Sequence, residues 1–180
     1  YSQRYAALAR ELAKKAKSER KLELEKIAEI CDWVPANPAR TFYEALQTMW
    51  LTHLLIFFDT GGQGKALGRV DQYLYPYYQK DIDGGRLTKE EAIELLACLR
   101  CKMHYRDIKN VYSHTSSSGE SQFHNCTLGG QTPDGKDAVN ELSYLWLEAA
   151  FRVRSPHPTL SIRWHENLNQ DFAIRAAELN

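Results

Sequence analysis

The sequence has no excess of charge of either sign, because 23 acidic residues balance 23 basic residues. Proteins that bind nucleic acids or membrane surfaces usually carry a basic patch, so the balance argues against both partners. No apolar run reaches the length of a transmembrane helix, and the longest, residues 51–58, is interrupted by Thr52 and His53. The chain also has no signal-peptide pattern and no initiator Met. We therefore expect a segment from inside a longer cytoplasmic protein.

Cysteine is also scarce, which limits both disulfides and metal sites. The four cysteines lie in segments that read as helix or buried strand, which favours reduced thiols: Cys31, Cys98, Cys101 and Cys126. Cys98 and Cys101 form a CxxC motif, but it lies within an apolar helix and no second ligand pair with zinc spacing follows. A metal-binding module through this pair and His104 is therefore a weak alternative, and we predict no metal site.

The first half of the chain has a helical pattern. Alanine and leucine recur three and four residues apart over residues 1–33, with a break indicated at Ser18. The prolines of residues 34–40 end this segment, because proline lacks an amide donor and disfavours helix in the residue before it. A second long helix, from about residue 40 to 57, carries a nearly apolar stripe and is predicted to be core.

A glycine-rich segment separates the second helix from a short aromatic one. Gly61, Gly62 and Gly64 allow positive φ angles and close approach of the backbone to a ligand. Gln63 is the one large side chain among them. The tyrosine-rich run that follows, residues 69–78, is predicted to be a short helix with two or three rings on one face.

The next helix has a clear start signal. Thr88 as N-cap and Glu91 three residues later fit a capping box, and the helix is predicted to reach about Tyr105. Residues 106–122 are polar and rich in serine and glycine, which indicates a loop, either ordered for function or disordered.

Two short strands are predicted in the last third of the chain. Residues 123–129, FHNCTLG, read as a buried strand, and residues 159–164, TLSIRW, alternate like a second one. A core helix that starts at Asp137 or Ala138 and reaches Val153 is predicted between them.

The alternation of helices and strands predicts an α/β layered or barrel architecture. With only two convincing strands, the sheet would be incomplete. The length favours one domain, which we divide into a helical part, a loop, a strand-helix-strand part and the start of a helix: residues 1–105, 106–122, 123–165 and 170–180.

Five segments of the sequence carry a family resemblance. In chain order they are PARTFYEALQTMW, GRVDQYLYPYYQKDI, LTKEEAIELL, LGGQTPDGKDAVNELSYLWLEA and PHPTLSIRWHE. Together they resemble the pyruvate formate-lyase-like domain of glycyl radical enzymes, most of all the branch with glycerol and diol dehydratases, choline trimethylamine-lyase and arylacetate decarboxylases. The resemblance runs in order through nearly the whole chain, so it implies that residues 1–180 are part of a single such domain.

The resemblance implies a ten-stranded α/β barrel that holds two loops, one with a thiyl-forming cysteine and one with a glycyl radical. Neither loop is in this sequence: Cys126 is followed by Thr and Leu, whereas the family's cysteine is followed by one residue and then Glu. We therefore expect a helix-rich partial segment of the α/β barrel, with no catalytic residue and no directly bound cofactor of its own. The implied partners are the remainder of the parent chain, a small-molecule substrate and a radical S-adenosylmethionine enzyme that installs the glycyl radical. The family also implies a homodimer of the parent.

The resemblance also implies a substrate contact in the glycine-rich segment. In the dehydratase branch a substrate-contacting Ser, preceded by His, lies about five positions before the GR motif, and counting back from Arg69 places Gly64 and Gln63 at these two positions, beside Gly62. A glutamine side chain can hold a hydroxyl, carboxylate or sulfonate group but cannot shuttle protons as histidine does. This argues against ordinary glycerol dehydration.

Further pocket residues are predicted on the two strands. Alternation puts His124 and Cys126 on one face of the first strand and Asn125 and Thr127 on the other, and either pair could face the pocket. Arg163 on the second strand could pair with an anionic group bidentately, or tie its strand to a helix.

We therefore expect a segment of a glycyl radical lyase or dehydratase that cleaves a C–C, C–O, C–N or C–S bond of a small polar metabolite. The segment would form part of the substrate pocket wall. The alternative is a non-catalytic helical scaffold or interaction module. A reading frame that continues beyond Asn180 into both radical loops favours the enzyme, and a native stop favours the scaffold.

Overall fold

The computed structural model describes residues 1–60, 65–109 and 124–179. The chain folds into two compact units, Tyr1–Leu55 and Ile56–Asn180. The organisation as a single domain stays a prediction.

The first unit is built on a helical hairpin. Helices α1, Ser2–Lys15, and α2, Ser18–Trp33, pack against each other, and the predicted break at Ser18 is confirmed. Their shared core consists of mostly small side chains, which let two helices approach closely: Ala6, Ala9, Ala13, Leu24, Ala28 and Cys31. The proline-containing segment ends α2 as predicted, and α3 follows at Phe42–Thr60, three residues longer than expected at its C-terminal end.

The second unit holds the remaining helices. They are α4, Val70–Tyr73; α5, Tyr75–Asp83; α6, Lys89–Lys109; α7, Glu141–Val153; and α8, Gln170–Ala177. The capping box at the start of α6 is confirmed, since the Glu91 amide donates to Thr88 Oγ1 at 3.2 Å and the Thr88 amide donates to Glu91 Oε2 at 2.8 Å. Helices α6 and α7 pack against each other.

Three parallel strands form the sheet of this unit: β1, Gly68–Arg69; β2, Asn125–Gly129; and β3, Thr159–Arg163. Strand β2 is central and pairs with both neighbours. The two predicted strands are confirmed, and β1 was not predicted because two residues are too few for alternation to show. A helix-rich chain with a small parallel sheet agrees with a partial α/β segment, and the ten-stranded barrel stays a prediction.

Helix α7 begins at Glu141, so the predicted start at Asp137 or Ala138 is wrong. The reason is that polar side chains before Glu141 bind nearby main-chain amides instead of joining the helix. Asp137 Oδ1 accepts from the Val139 amide at 3.0 Å, and Asn140 Oδ1 caps the helix by accepting from the Ser143 amide at 3.2 Å. The main-chain amide of Asn140 in turn donates to Ser143 Oγ at 3.0 Å, which completes a capping box.

Across residues 1–60, 65–109 and 124–179, none of the helices combines the length and the apolar character needed to span a membrane.

Candidate functional site: the two faces of the parallel sheet

The two faces of β2 have different surroundings. His124, just before the strand, and Cys126 and Leu128 within it are fully buried on one face. The Cys126 thiol lies near the guanidinium of Arg100 on α6 and near the Tyr73 side chain on α4, so helices contribute to the burial of this face. We call it the covered face.

The chemistry of the covered face is that of a core. Burial raises the pKa of Cys126 to about 12, so the thiol stays protonated and is a poor nucleophile near neutral pH. His124 Nδ1 lies 3.2 Å from the Lys65 carbonyl oxygen. Arg100 donates to the carbonyl oxygens of Pro158 at 3.0 Å and Ser155 at 2.9 Å, which secures the chain before the amino end of β3.

The opposite face carries polar side chains from all three strands, and we call it the open face. Because paired residues of parallel strands point to the same side, the register Arg69↔Thr127, Thr127↔Ser161 and Gly129↔Arg163 brings these side chains together. Asn125, Thr127, Ser161 and Arg69 are half-buried, and Arg163 is exposed.

Several polar groups of the open face have no hydrogen-bond partner among the described residues. Asn125 Oδ1 is a buried acceptor that receives no hydrogen bond within the described parts of the chain. The hydroxyl groups of Thr127 and Ser161 and the guanidinium of Arg163 likewise make no hydrogen bond or ion pair to a described residue. Buried polar groups normally have partners, so an unpaired acceptor indicates that something else completes this face.

At the carboxyl end of β2, two side chains hold Gly129 by its main chain. Arg69 donates to the Gly129 carbonyl oxygen from Nε at 3.0 Å and from Nη2 at 2.7 Å, and the Gly129 amide donates to Asp71 Oδ2 at 2.7 Å. Asp71 is fully buried and also accepts from Ser143 Oγ at 2.6 Å. Burial raises the pKa of Asp71, although its hydrogen bonds oppose the shift.

Both glycines that follow Leu128 are required by this arrangement. Gly129 and Gly130 have φ angles of +70° and +89°, where side chains with a Cβ are strained. A Cβ on Gly130 would lie 2.7 Å from Arg163 Cδ and 3.1 Å from Arg69 Nη2. The two arginines therefore pass over Gly130 at the carboxyl end of the sheet, which is where open α/β sheets bind ligands.

A second cluster joins the loops that follow β2 and β3. Asp137 Oδ1 lies 3.3 Å from His165 Nε2, and Asp137 Oδ2 accepts from the Asn169 amide at 2.8 Å. Burial opposes ionisation, but hydrogen bonds from the Val139 and Asn169 amides and from His165 outweigh it and lower the pKa of Asp137. The ionised carboxylate thus ties the two loops together.

The residues predicted from sequence fall into three groups. Gly62, Gln63 and Gly64 lie outside the described residues. His124 is on the covered face, so its burial favours Asn125 as the residue of this strand that contacts a ligand. Asn125 and Arg163 share the open face, roughly 13 Å apart at the usual rise of a strand.

The sequence did not predict the hydrogen bonds that join the Arg69 and Asp71 side chains to the main chain of Gly129. The pairs are separated by 60 and 58 residues, so no local pattern reveals them. The one available signal was the pair of charged residues that flank Val70, the first residue of α4.

Two other features were considered as sites. Among the described residues, no group of three or more histidine, cysteine or acidic side chains could hold a metal ion, and this includes Cys98 and Cys101 with His104. A shallow depression of about 350 Å³ on α1 is lined by Tyr1, Arg4, Tyr5 and Leu8. It offers the Arg4 side chain and two tyrosine hydroxyls that already bond to each other at 3.2 Å, so it is a weaker candidate than the open face.

Comparison with known proteins identifies the family. The whole chain, residues 1–180, matches the pyruvate formate lyase-like family. It is 40% identical over 99% of its length to the isethionate sulfite-lyase of Nitratidesulfovibrio vulgaris, of which it covers 22%. It is 34% identical to the trans-4-hydroxy-L-proline dehydratase of Clostridioides difficile, over 98% of this chain and 23% of that one.

Solved structures give the same result. A structure that describes 1,2-propanediol dehydration in Roseburia inulinivorans superimposes with a TM-score of 0.91 at 39% identity, over 99% of this chain and 23% of the other. A glycyl radical enzyme from Archaeoglobus fulgidus superimposes with a TM-score of 0.89 at 39% identity and the same coverage. This sequence thus spans between a fifth and a quarter of the length of these four relatives, and it belongs to the pyruvate formate lyase-like family of glycyl radical enzymes.

Proposed function

We propose that this chain is a segment of a glycyl radical lyase or dehydratase and that the open face of its sheet forms part of the substrate pocket wall. The parent would cleave a C–C, C–O, C–N or C–S bond of a small polar metabolite. The observation that carries the proposal is the buried Asn125 Oδ1, which shares the open face with the hydroxyls of Thr127 and Ser161; none of the three has a hydrogen-bond partner among the described residues.

A pocket wall needs polar groups that are fixed in place yet free to bind. Asn125 and Thr127 belong to the central strand and Ser161 to its neighbour, so their positions are held by the parallel ladder on both sides of β2. Rigid elements position binding groups more accurately than loops do. An amide, two hydroxyls and the Arg163 guanidinium can bind hydroxyl, carboxylate or sulfonate groups.

The radical chemistry itself is assigned to the rest of the parent. Cys126 is fully buried and its pKa is raised, so this thiol is not placed to react with a substrate. We propose that the thiyl-forming cysteine and the glycyl radical lie outside residues 1–180. A radical S-adenosylmethionine enzyme would install the radical. The isolated chain should therefore have no turnover, and a homodimer of the parent in the cytoplasm remains our expectation.

The substrate is proposed to be small and polar, with Gln63 and its neighbours Gly62 and Gly64 as further contacts. The relatives act on isethionate, 1,2-propanediol and trans-4-hydroxy-L-proline, according to their names. Each of these three molecules carries a hydroxyl group on its carbon skeleton. The unpaired hydroxyls and amide of the open face suit such a group.

The test uses the full-length parent, activated without oxygen by a matching activating enzyme. Electron paramagnetic resonance measures the glycyl radical, and isethionate, 1,2-propanediol, glycerol, trans-4-hydroxy-L-proline and indoleacetate are screened as substrates. With the substrate found, Asn125→Ala should raise KM while the radical content stays unchanged, since the radical is stored elsewhere.

The matched control is Asn167→Ala, because Asn167 is exposed in a turn after β3. It should leave KM and radical content unchanged. A parent that forms no glycyl radical with any competent activating enzyme would contradict the enzyme assignment and favour a scaffold. An unchanged KM for Asn125→Ala would contradict the pocket wall.

A further inference from the structure

We infer that Arg69 and Asp71 are positioning residues. By hydrogen bonding to the carbonyl oxygen and the amide of Gly129, they fix the position of the open face. The inference rests on the proposed function, because it concerns the same pocket wall. Neither side chain is assigned to bind substrate. Their effect on catalysis would pass through the carboxyl end of β2.

The hydrogen bonds to Gly129 come from two side chains, one bonded to its carbonyl oxygen and the other to its amide. Arg69 donates twice to the Gly129 carbonyl oxygen, at 2.7 and 3.0 Å, and Asp71 accepts from the Gly129 amide at 2.7 Å. The Arg69 bonds come from a charged donor, and hydrogen bonds to charged groups are stronger than those between neutral groups. Gly129 is thereby held at a positive φ angle at the end of the strand that supplies Asn125 and Thr127.

Asp71 also connects the end of β2 to the start of helix α7. Asp71 accepts from Ser143 Oγ at 2.6 Å, and its carbonyl oxygen accepts from Asn140 Nδ2 at 3.0 Å, so the start of α7 is tied to the same point. The short segment from Arg69 to Asp71 therefore sets the relation between β1, the end of β2 and the helix that follows. A shift of the segment from Arg69 to Asp71 would move the polar side chains of the open face together.

The matched control is an arginine that holds main-chain carbonyls near the opposite end of the sheet. Arg100 is buried and donates to the carbonyl oxygens of Pro158 and Ser155, just before β3 begins. Its loss should lower thermal stability as the loss of Arg69 does. A positioning role at the carboxyl end predicts that only the Arg69 change alters catalysis.

The experiment uses the activated full-length parent, and kcat/KM is divided by the measured glycyl radical content of each variant. Arg69→Gln and Asp71→Leu should lower this ratio about 100-fold, because a misplacement of about 1 Å can cost that much. Arg100→Gln should lower the melting temperature and leave the ratio unchanged. Equal melting losses for Arg69→Gln and Arg100→Gln, with both ratios unchanged, would overturn the inference.

Two conservative variants keep the test decisive if Arg69→Gln or Asp71→Leu does not fold. In Asp71→Asn the amide oxygen can take the place of Asp71 Oδ2 and accept from both Gly129 and Ser143, so the ratio should stay near that of the parent. Arg69→Lys keeps the charge but cannot make two parallel bonds to one oxygen, so the ratio should fall. A lowered ratio for Asp71→Asn together with an unchanged ratio for Arg69→Lys would show that charge matters and geometry does not, which overturns the inference.

Failure of this inference can be told apart from failure of the proposed function. If Asn125→Ala raises KM while the Arg69 and Asp71 variants leave the ratio unchanged, the pocket wall stands and the positioning role is overturned. If Asn125→Ala also has no effect, the pocket wall itself is rejected.

Discussion

The covered and open faces of β2 are built from alternate residues of one five-residue strand, yet they have opposite character. Cys126 and Leu128 are fully buried beside α6, whereas Asn125 and Thr127 are half-buried and make no side-chain hydrogen bond to the described residues. The chain completes one face with its own helices. We propose that the rest of the parent and its substrate complete the other face, whose polar side chains have no partner among the described residues.

Under our proposal, this contrast separates residues that stabilise the fold from residues that contact the substrate. Two polar side chains one position apart, His124 and Asn125, would be equal candidates from sequence, since both can bind a small polar molecule. They differ only in the face of the sheet on which they lie. A strand of parallel sheet therefore assigns function by the side on which each residue points.

The largest expected effect comes from shortening a covered-face side chain. Leu128 is fully buried, so Leu128→Ala should cost about 2–5 kcal/mol through the lost contacts and the cavity left behind. Thr127→Val on the open face should change stability by no more than about 0.5 kcal/mol while it raises KM. Thermal unfolding of the full-length parent and its two variants measures the difference in stability. Similar losses for both variants would remove the contrast between the faces.

A smaller effect is expected at the two capping boxes. Asn140→Ala should cost about 1–2 kcal/mol, because Asn140 both caps α7 and donates to the Asp71 carbonyl oxygen at 3.0 Å. Thr88→Ala should cost about 1 kcal/mol or less, since the Thr88 side chain makes only local bonds with Glu91. Melting temperatures of the two variants provide the comparison. A greater loss for Thr88→Ala would show that the link from α7 to Asp71 contributes nothing.

The smallest effect concerns the pH dependence of stability and has opposite signs at two aspartates. The pKa of Asp137 is lowered on folding, so its stabilisation is present above the unfolded pKa of about 3.9 and is lost as pH falls through the folded pKa. The pKa of Asp71 is raised, so folding favours its protonated form and stability falls as pH rises from the unfolded pKa through the folded one.

The corresponding test compares melting temperatures of the parent, Asp137→Asn and Asp71→Asn from about pH 3 to pH 7. Asp137→Asn should lose more stability at pH 7 than at pH 3. Asp71→Asn should gain relative to the parent as pH rises. The same sign for both variants would contradict the assigned pKa shifts.

Much of the fold follows from local sequence signals. The break at Ser18, the end of α2 before the prolines and the Thr88–Glu91 capping box are all encoded within a few residues, and each is confirmed. The predicted start of α7 is wrong because the Asp137 carboxylate accepts hydrogen bonds from the main-chain amides of Val139 and Asn169. Such a contact with Asn169 is invisible to a local pattern.

The site was predicted less completely, for a physical reason. Asn125 and Arg163 could be named because they lie on recognisable strands, but alternation alone left the choice between the His124 and Asn125 faces open. That choice depends on which face the helices help to bury. Strand β1 and the hold on Gly129 depend on pairings about 60 residues apart, which only the folded chain brings together.

The central claim is that the open face lines the substrate pocket, and a structure of the full-length parent with its substrate bound tests it most directly. The account predicts that polar atoms of the substrate lie within hydrogen-bond distance, about 2.7–3.2 Å, of the side chain of Asn125, Thr127 or Ser161. It also predicts that His124 and Cys126 remain buried away from the substrate. A substrate bound elsewhere, with the open face filled by protein side chains that pair with Asn125 Oδ1, would contradict the claim.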